Sequence, residues 1–247
     1  MSAEPVCQVL EWDSAFFGYR VARVRLARLD EASVASILAW CEAEAIDWLY
    51  FLADANHRET PWLAQAAGFD FVDFRLEMTC PLAGRPAAAP TPSAPIVIRP
   101  ATAADVPALC RLAADAHRDS RFYFDRHLGE ARAQALYVRW IERSVLESFA
   151  DFVLVAERDG QPVGHITGKL GPGLSGSISL LAVEAAMRGR GIGSQLMQAG
   201  LAWLAQHGAG QVSLVTQGRN ADAQRLYQRH GFVTQAAWLW YHRWFSR

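Results

Sequence analysis

Residues 188–193 read Arg-Gly-Arg-Gly-Ile-Gly, three glycines set two apart with an arginine before the first and another between the first pair. Where such a run leads into a helix, its chemistry is anion binding. The first N–H groups of a helix have no partner within it, and the aligned peptide dipoles leave roughly half a positive charge there. Glycine lets the backbone approach an oxygen without a Cβ in the way, and phosphate is what such helix starts hold. Arg188 and Arg190 add charge. The plain alternative is a tight strand-to-helix turn with two solvated arginines, and the hexamer alone leaves both open. Two familiar nucleotide loops are excluded. A Walker loop needs four residues between its glycines and then Lys followed by Ser or Thr, and a dinucleotide fingerprint needs Gly-x-Gly-x-x-Gly. Here Gly189, Gly191 and Gly193 are evenly spaced.

The neighbouring elements must position this loop. "GSISLLAV" before it reads as an apolar strand. In "SQLMQAGLAWLAQHG" after it, Ile192, Leu196, Ala199 and Trp203 share one helical face. Gly208 and Gly210 end that helix. "QVSLVTQ" is the next strand, "NADAQRLYQRHGF" a helix closed by Gly231, and "VTQAAWLWYHRWF" a final strand. Upstream, "IVIRP" is a short strand, Asp105 offers a helix cap with Pro107 early in the helix, and "EARAQALYVRWIERSVLES" has helical spacing through Leu136, Trp140 and Val145. "DFVLVAERDGQPVGHITGKL" is a pair of strands around the turn signal "RDGQP". Strands alternating with helices predict an α/β (α+β) fold.

A Pro/Ala-rich stretch at 84–95 reads as a linker between a front piece, 1–83, and a back piece, 96–247. The front piece repeats part of the back in fainter form. "LAW" at 38–40 precedes "WLYFLAD" as "LAW" at 201–203 precedes "QVSLVTQ", and "NHRETPWLAQAAGF" from Asn56 lines up with "NADAQRLYQRHGF" from Asn220. The front piece is therefore read as a degenerate half-copy. It has no counterpart of the glycine loop, which makes it a scaffold.

Composition sets outer limits. Arg and Lys number 24 against 25 Asp and Glu, a net charge of −1, so nothing points to a nucleic-acid partner or a polybasic membrane surface. Hydrophobic residues make up 51% and charged residues 20%, enough for a real core. Cys7, Cys41, Cys80 and Cys110 are far apart and form no Cys-x-x-Cys pair, which predicts neither a zinc site nor a disulfide framework and no metal. The first residues lack the basic start and apolar run of a signal peptide. No apolar run approaches the ~20 residues that span a bilayer. The expectation is a soluble cytoplasmic protein.

"LLAVEAAMRGRGIGSQLM" resembles the acyl-CoA pyrophosphate motif of the GNAT N-acetyltransferase superfamily, Arg/Gln-x-x-Gly-x-Gly/Ala, with Arg188, Gly191 and Gly193 in its places and Val183 five residues ahead. "RNADAQRLYQRHGF" resembles the superfamily's second signature through Asn220, Tyr227, Gly231 and Phe232. The resemblance covers residues 96–247. It implies the GNAT fold, with a splayed mixed central sheet, here preceded by a smaller degenerate GNAT-like α/β domain. It implies an acetyltransferase using acetyl-CoA. The backbone of Leu181, Ala182 and Val183 would pair with the pantetheine arm. The amides of Arg188, Gly189, Arg190, Gly191, Ile192, Gly193 and Ser194 would hold the pyrophosphate. Asn220 would touch the pantetheine, and Tyr227 would lie near the sulfur. A tyrosine suits that place: a phenol with a pKa near ~10 is protonated at neutral pH and can donate to a departing thiolate. The base that frees the amine is less distinct. Glu184 and His165 are candidates, directly or through a water, and each is equally an ordinary residue of its strand.

For the acceptor, "LEWDSAFFGYRVARV", "RDSRFYFDRHL" and "LWYHRWF" resemble the dTDP-fucosamine N-acetyltransferase group, whose members acetylate a nucleotide-linked 4-amino-6-deoxy sugar. A pyrophosphate and a base in the acceptor call for cations and aromatic faces. Arg118, Arg121, Tyr123 and Arg126 are the candidates, with Trp238, Trp240 and Trp244 sharing one face of the last strand. These tryptophans equally suit an interdomain core. Other acceptors stay open: a protein N-terminus, a polyamine, an aminoglycoside. So do a non-catalytic acyl-CoA-binding module and a homodimer.

Overall fold

The computed structural model describes residues 5–82 and 96–245; the stretch read as a linker, 84–95, lies outside the described residues. The front half runs β1 (Cys7–Val9), α1 (Glu11–Phe17), β2 (Val21–Val24), α2 (Glu31–Ala43), β3 (Trp48–Asp54), α3 (Thr60–Ala66) and β4 (Asp70–Pro81). The back half runs β5 (Val97–Pro100), α4 (Val106–Asp115), α5 (Glu130–Leu146), β6 (Phe152–Arg158), β7 (Gln161–Gly171), β8 (Ser175–Val183), α6 (Ile192–Gln206), β9 (Gln211–Gln217), α7 (Ala221–Arg229) and β10 (Val233–Trp244).

Local signals account for many boundaries. Asp30 and Ser33 close a reciprocal capping box on α2. The "RDGQP" turn joins β6 to β7 with both Asp159 and Gly160 at positive φ, the backbone that a tight hairpin requires. Asp105 stands at the N-cap position of α4, but its side chain does not cap that helix, and a short 3₁₀ turn at Ala103–Asp105 precedes it. Thr102 caps the turn, and the Asp105 carboxylate accepts from the Thr102 N–H at 2.8 Å and from Arg99 at 2.8 Å. The arginine draws the acid back toward β5, away from the helix start.

Ten strands join in one mixed sheet, in the order β1-β2-β3-β10-β4-β9-β8-β7-β6-β5. β2–β3 and β8–β9 are parallel and the other neighbours antiparallel. The two halves exchange their last strands. β10 leaves the back half and lies between β3 and β4, with Trp238–Trp244 facing Asp54–Trp48 in unbroken register. β4 leaves the front half and pairs with β9. β2-α2-β3-α3-β4 and β8-α6-β9-α7-β10 therefore have the same order and complementary pairing.

The packing follows from this exchange. One core lies under α6 around Leu196, Met197 and Leu204. A second lies under α2 and α3 around Ile37, Phe51 and Phe69. A third joins the halves: Phe17, Trp48 and Tyr50 from the front meet Leu109, Leu136 and Tyr137 from α4 and α5. Trp244 stacks on Trp48 at 4.5 Å and belongs to this junction. Burial of such rings contributes about 1.5–3 kcal/mol each, so the junction is a cohesive core rather than a hinge.

Candidate active site

The parallel pair β8–β9 holds for four residues, Ser175–Ile178 against Gln211–Leu214, and then opens. β8 continues to Val183 and β9 to Gln217 without pairing to each other. The cause is on the other edge of β8. There the register with β7 slips between Leu180, opposite Thr167, and Ile178, opposite Gly168, so Ser179 is an extra residue. A bulge bends its strand and sharpens the twist. A cavity of about 830 Å³ fills the gap.

At one end stand the residues expected to bind a donor. Beyond the bulge, the N–H of Glu184 bonds to Val163 on β7 at 2.9 Å. Strand alternation therefore turns the amides of Leu181 and Val183 away from β7, into the gap. The chain then makes one 3₁₀ turn, Ala185–Met187, and Arg188 folds back so that its Nε donates to Val183 O at 3.1 Å. Gly189 has φ of +75° and Gly191 +79°, a left-handed backbone that side chains resist. Gly193 has no positive φ, and a Cβ there would meet Leu226 of α7 at 3.4 Å, an ordinary contact. The first bond of α6 runs from Gln195 N–H to Gly191 O, so the amides of Ile192, Gly193 and Ser194 come ahead of the ladder. All three residues line the cavity. Ser194 is held by a 2.8 Å bond between its Oγ and His230 Nε2.

Leu181, Ala182, Val183, Arg188, Gly189, Gly191, Ile192, Gly193, Ser194, Asn220 and Tyr227 thus border one cavity. Arg190 is exposed and is not among the lining residues. Asn220 does a structural task as well: its side chain caps α7, accepting from the Ala223 N–H at 3.1 Å. Tyr227 projects from α7, half-buried, with its ring edge-on to Phe232. Its hydroxyl has no hydrogen-bond partner among the described residues. Burial pushes its phenol up to about 12. It therefore keeps its proton at any physiological pH.

Neither base candidate borders the cavity. His165 is fully buried within β7, both ring nitrogens without hydrogen-bond partners among the described residues, and burial, with His117 nearby, drives it down to about 3. Glu184 is exposed where β8 ends.

Another part of the cavity lining has a different character. Arg121 lies between aromatic faces, its guanidinium carbon 4.2 Å from the Tyr50 ring, 4.1 Å from Phe122 and 4.2 Å from Trp240. One of its N–H groups points to His242 Nε2 at 2.5 Å, and His242 Nδ1 lies 2.5 Å from Asp125 Oδ2. Trp244 Nε1 donates to the same carboxylate at 2.9 Å. Burial lowers His242 to about 4, so its imidazole is neutral. The partners then assign its tautomer: Nδ1–H donates to Asp125, and the Nε2 lone pair accepts from Arg121. Burial works to raise Asp125, but the bonds from His242 and Trp244 hold it low. The relay fixes a cation whose own partners are a neutral ring and π faces. Of the other acceptor candidates, Arg118 lines the cavity and pairs with Glu130. Arg126 pairs with Asp70 on the surface at 3.1 Å, and Tyr123 points its hydroxyl into the protein.

Two features here have no counterpart in the sequence reading. One is the Asp125–His242 relay. The other is Asp73 on β4, which borders the cavity beside Arg75, two residues on and so on the same strand face. Asp73 is 2% exposed. The Arg219 guanidinium approaches its Oδ1 to 3.4 Å without forming a hydrogen bond, and that oxygen has no hydrogen-bond partner among the described residues. An acid at this spacing in "DFVDFR" does alternate with apolar residues. That signal does not say which face meets a cavity. Among the described residues, no group of three His, Cys, Asp or Glu could hold a metal ion, and no helix is long and apolar enough to cross a membrane.

Comparison with known proteins gives this geometry a context. Residues 108–232 match the model of the acetyltransferase (GNAT) family. The chain is 28% identical to a dTDP-fucosamine acetyltransferase of Escherichia coli O6:H1 over 95% of its own length and 96% of the relative's. It is 30% identical to the spore coat polysaccharide biosynthesis protein SpsD of Bacillus subtilis, over 57% of its length and 48% of that protein's. A solved GCN5-related N-acetyltransferase from Sphaerobacter thermophilus superposes with a TM-score of 0.68 at 19% identity, over 96% of this chain and 76% of that one. A tandem GNAT protein from the clavulanic acid pathway gives 0.61 at 15% identity, over 93% and 77%. These structures share the fold.

Proposed function

From the premise that this chain belongs to the GNAT acetyltransferase family and is an acyl-CoA-dependent acetyltransferase, we propose that its donor is acetyl-CoA and its acceptor the 4-amino group of a dTDP-linked 4-amino-4,6-dideoxy sugar. The observation that carries the acceptor reading is likeness to a dTDP-fucosamine acetyltransferase along almost the whole of both chains, front half included. The cavity is consistent with it. The donor end fits the diphosphate of CoA, with glycine-shaped backbone and three helix-start amides. The other end offers Arg121 within an aromatic box, a setting for an anionic, ring-bearing acceptor. Residues 1–83 we read as a degenerate half-copy whose strands complete the acceptor side, since Asp73, Arg75 and Tyr50 come from it. The enzyme would work in the cytoplasm.

In this reading the residues divide the work. The amides of 188–194 anchor the diphosphate, and those of Leu181 and Val183 align the pantetheine arm. The acceptor nitrogen attacks the thioester carbonyl, the carbon–sulfur bond breaks, and Tyr227 gives its proton to the thiolate. Arg121 holds the acceptor's diphosphate.

The acceptor is tested by supplying acetyl-CoA with a panel of nucleotide-linked amino sugars, peptides, polyamines and aminoglycosides and following thiol release. Release with a dTDP-4-amino sugar is the expected result. Release with peptides or polyamines and with no sugar nucleotide would refute it. The anchor has its own test. Gly191→Ala places a side chain at a left-handed backbone position, at a cost of about 1–2 kcal/mol, and should weaken CoA binding in calorimetry. Gly193→Ala, with ordinary φ and a 3.4 Å neighbour, should weaken it less.

A further inference from the structure

A primary amine is an ammonium ion at neutral pH and cannot attack until it loses a proton. Of the two base candidates the sequence offers, one is buried outside the cavity and the other is exposed at the end of β8. Asp73 differs from both. It is almost wholly buried yet lines the cavity, and one carboxylate oxygen, 3.4 Å from Arg219, lacks a hydrogen bond among the described residues. It is set by β4, which lies next to β9, the strand that forms one wall of the gap. A buried carboxylate oxygen without a donor is a costly arrangement. A bound ammonium would satisfy it.

We propose that Asp73 is the catalytic base: it binds the acceptor's ammonium group and takes its proton. The inference rests on the acceptor being a primary amine and not on its being a sugar nucleotide. One N–H bond of the ammonium breaks as an O–H bond forms on Asp73. The neutral nitrogen then attacks, and its second proton leaves as the amide forms. That proton balances the one Tyr227 gives to the thiolate. Asp73 returns its proton to water once the product has gone.

The surroundings suit a base working near neutrality. Arg219 comes from the β9–α7 connection, Arg121 and Asp119 from the α4–α5 connection, Tyr137 from α5, and Trp240 lies opposite on β10. Burial raises Asp73, while Arg219 and Arg121 pull it down and Asp119 opposes them; the balance stands at about 6. Such an acid is ionised at pH 7.5 and basic enough to accept a proton.

The test is the pH profile of kcat/KM for Asp73→Asn beside wild type, on whichever amine the wild-type protein turns over. Wild type should show an acidic limb near pH 6. The variant should lose it, its rate instead climbing with the amine's own deprotonation and falling short of wild type by roughly a hundredfold at neutral pH. The deficit should shrink for an amine of low pKa, such as an alkoxyamine, which arrives already neutral. An unchanged acidic limb, or an equal deficit for every amine, would overturn the proposal, since a merely structural role slows all acceptors alike. CoA binding and melting temperature report on folding, and Asp73→Ser serves if the Asn variant fails either. A further sign is independent of turnover. Because the folded pKa is raised, wild-type stability is lost as pH rises through about 6. Asp73→Asn should therefore melt higher than wild type at pH 7.5 and level with it below pH 4. Wild-type turnover of peptides but not sugars would defeat the acceptor reading and leave Asp73 to be tested on the peptide amine.

Discussion

Tyr227→Phe should lower turnover by about a hundred- to ten-thousand-fold, the range of positioned acid catalysis, while CoA binding stays close to wild type. The change removes one oxygen and keeps the ring. The ring is what packs: it meets Phe232 edge-on and joins the core under α6. The hydroxyl has no hydrogen-bond partner among the described residues, so deleting it orphans nothing. Stability should hardly move. The loss should fall on kcat rather than on KM, because the proton is needed only as the carbon–sulfur bond breaks. Since burial holds the phenol at about 12, no alkaline limb should appear from Tyr227 below pH 10. Steady-state rates with calorimetric CoA titration check both parts. An unchanged rate would remove Tyr227 from the mechanism.

Arg121→Ala should raise the KM for a nucleotide-linked acceptor by roughly ten- to a hundredfold, the worth of one charge-assisted contact to a diphosphate. Its effect on kcat should be smaller. Arg121→Lys should not restore binding. A lysine lacks the planar fork that stacks on Tyr50 and Trp240 and reaches His242 Nε2 together. The same variants should leave CoA affinity alone, because the contacts of Arg121 are Tyr50, Phe122, Trp240 and His242, none of which belongs to the glycine loop. A KM unmoved by Arg121→Ala would take this cation out of acceptor binding.

The glycine-loop part of the candidate site is legible in sequence because it is nearly contiguous. A strand, the glycine run and a helix lie within about thirty residues, and their local backbone needs, such as positive φ at Gly189 and Gly191, are written in residue type. The second signature adds one helix further on. Arg190 is the exception, since a residue in such a loop gives no sign of which way it points. The part of the candidate site around Arg121 is less legible because long-range pairing builds it. No local pattern says that β10 will insert between β3 and β4, and that insertion brings His242 to Asp125, 117 residues earlier, and to Arg121. Asp73 belongs to this side too: it reads as one polar residue in an alternating strand until β4 is placed against β9. Of the base candidates, His165 lies where β7 is buried on both faces, a placement that its own residue type does not announce, and burial keeps it neutral. Trp244 was legible as an aromatic on the shared face of its strand. Its stacking on Trp48 depends on the same strand exchange.

The central claim is acetyl transfer to the amine of a nucleotide-linked sugar, and a competition assay tests it most directly. Wild-type protein, acetyl-CoA, a dTDP-4-amino-4,6-dideoxy sugar and an equimolar peptide with a free N-terminus would be incubated together, and the acetylated products identified by mass spectrometry and NMR. The acetyl group should appear on the sugar's N4, with the peptide untouched. Acetyl-peptide as the product, with the sugar recovered unchanged, would contradict it.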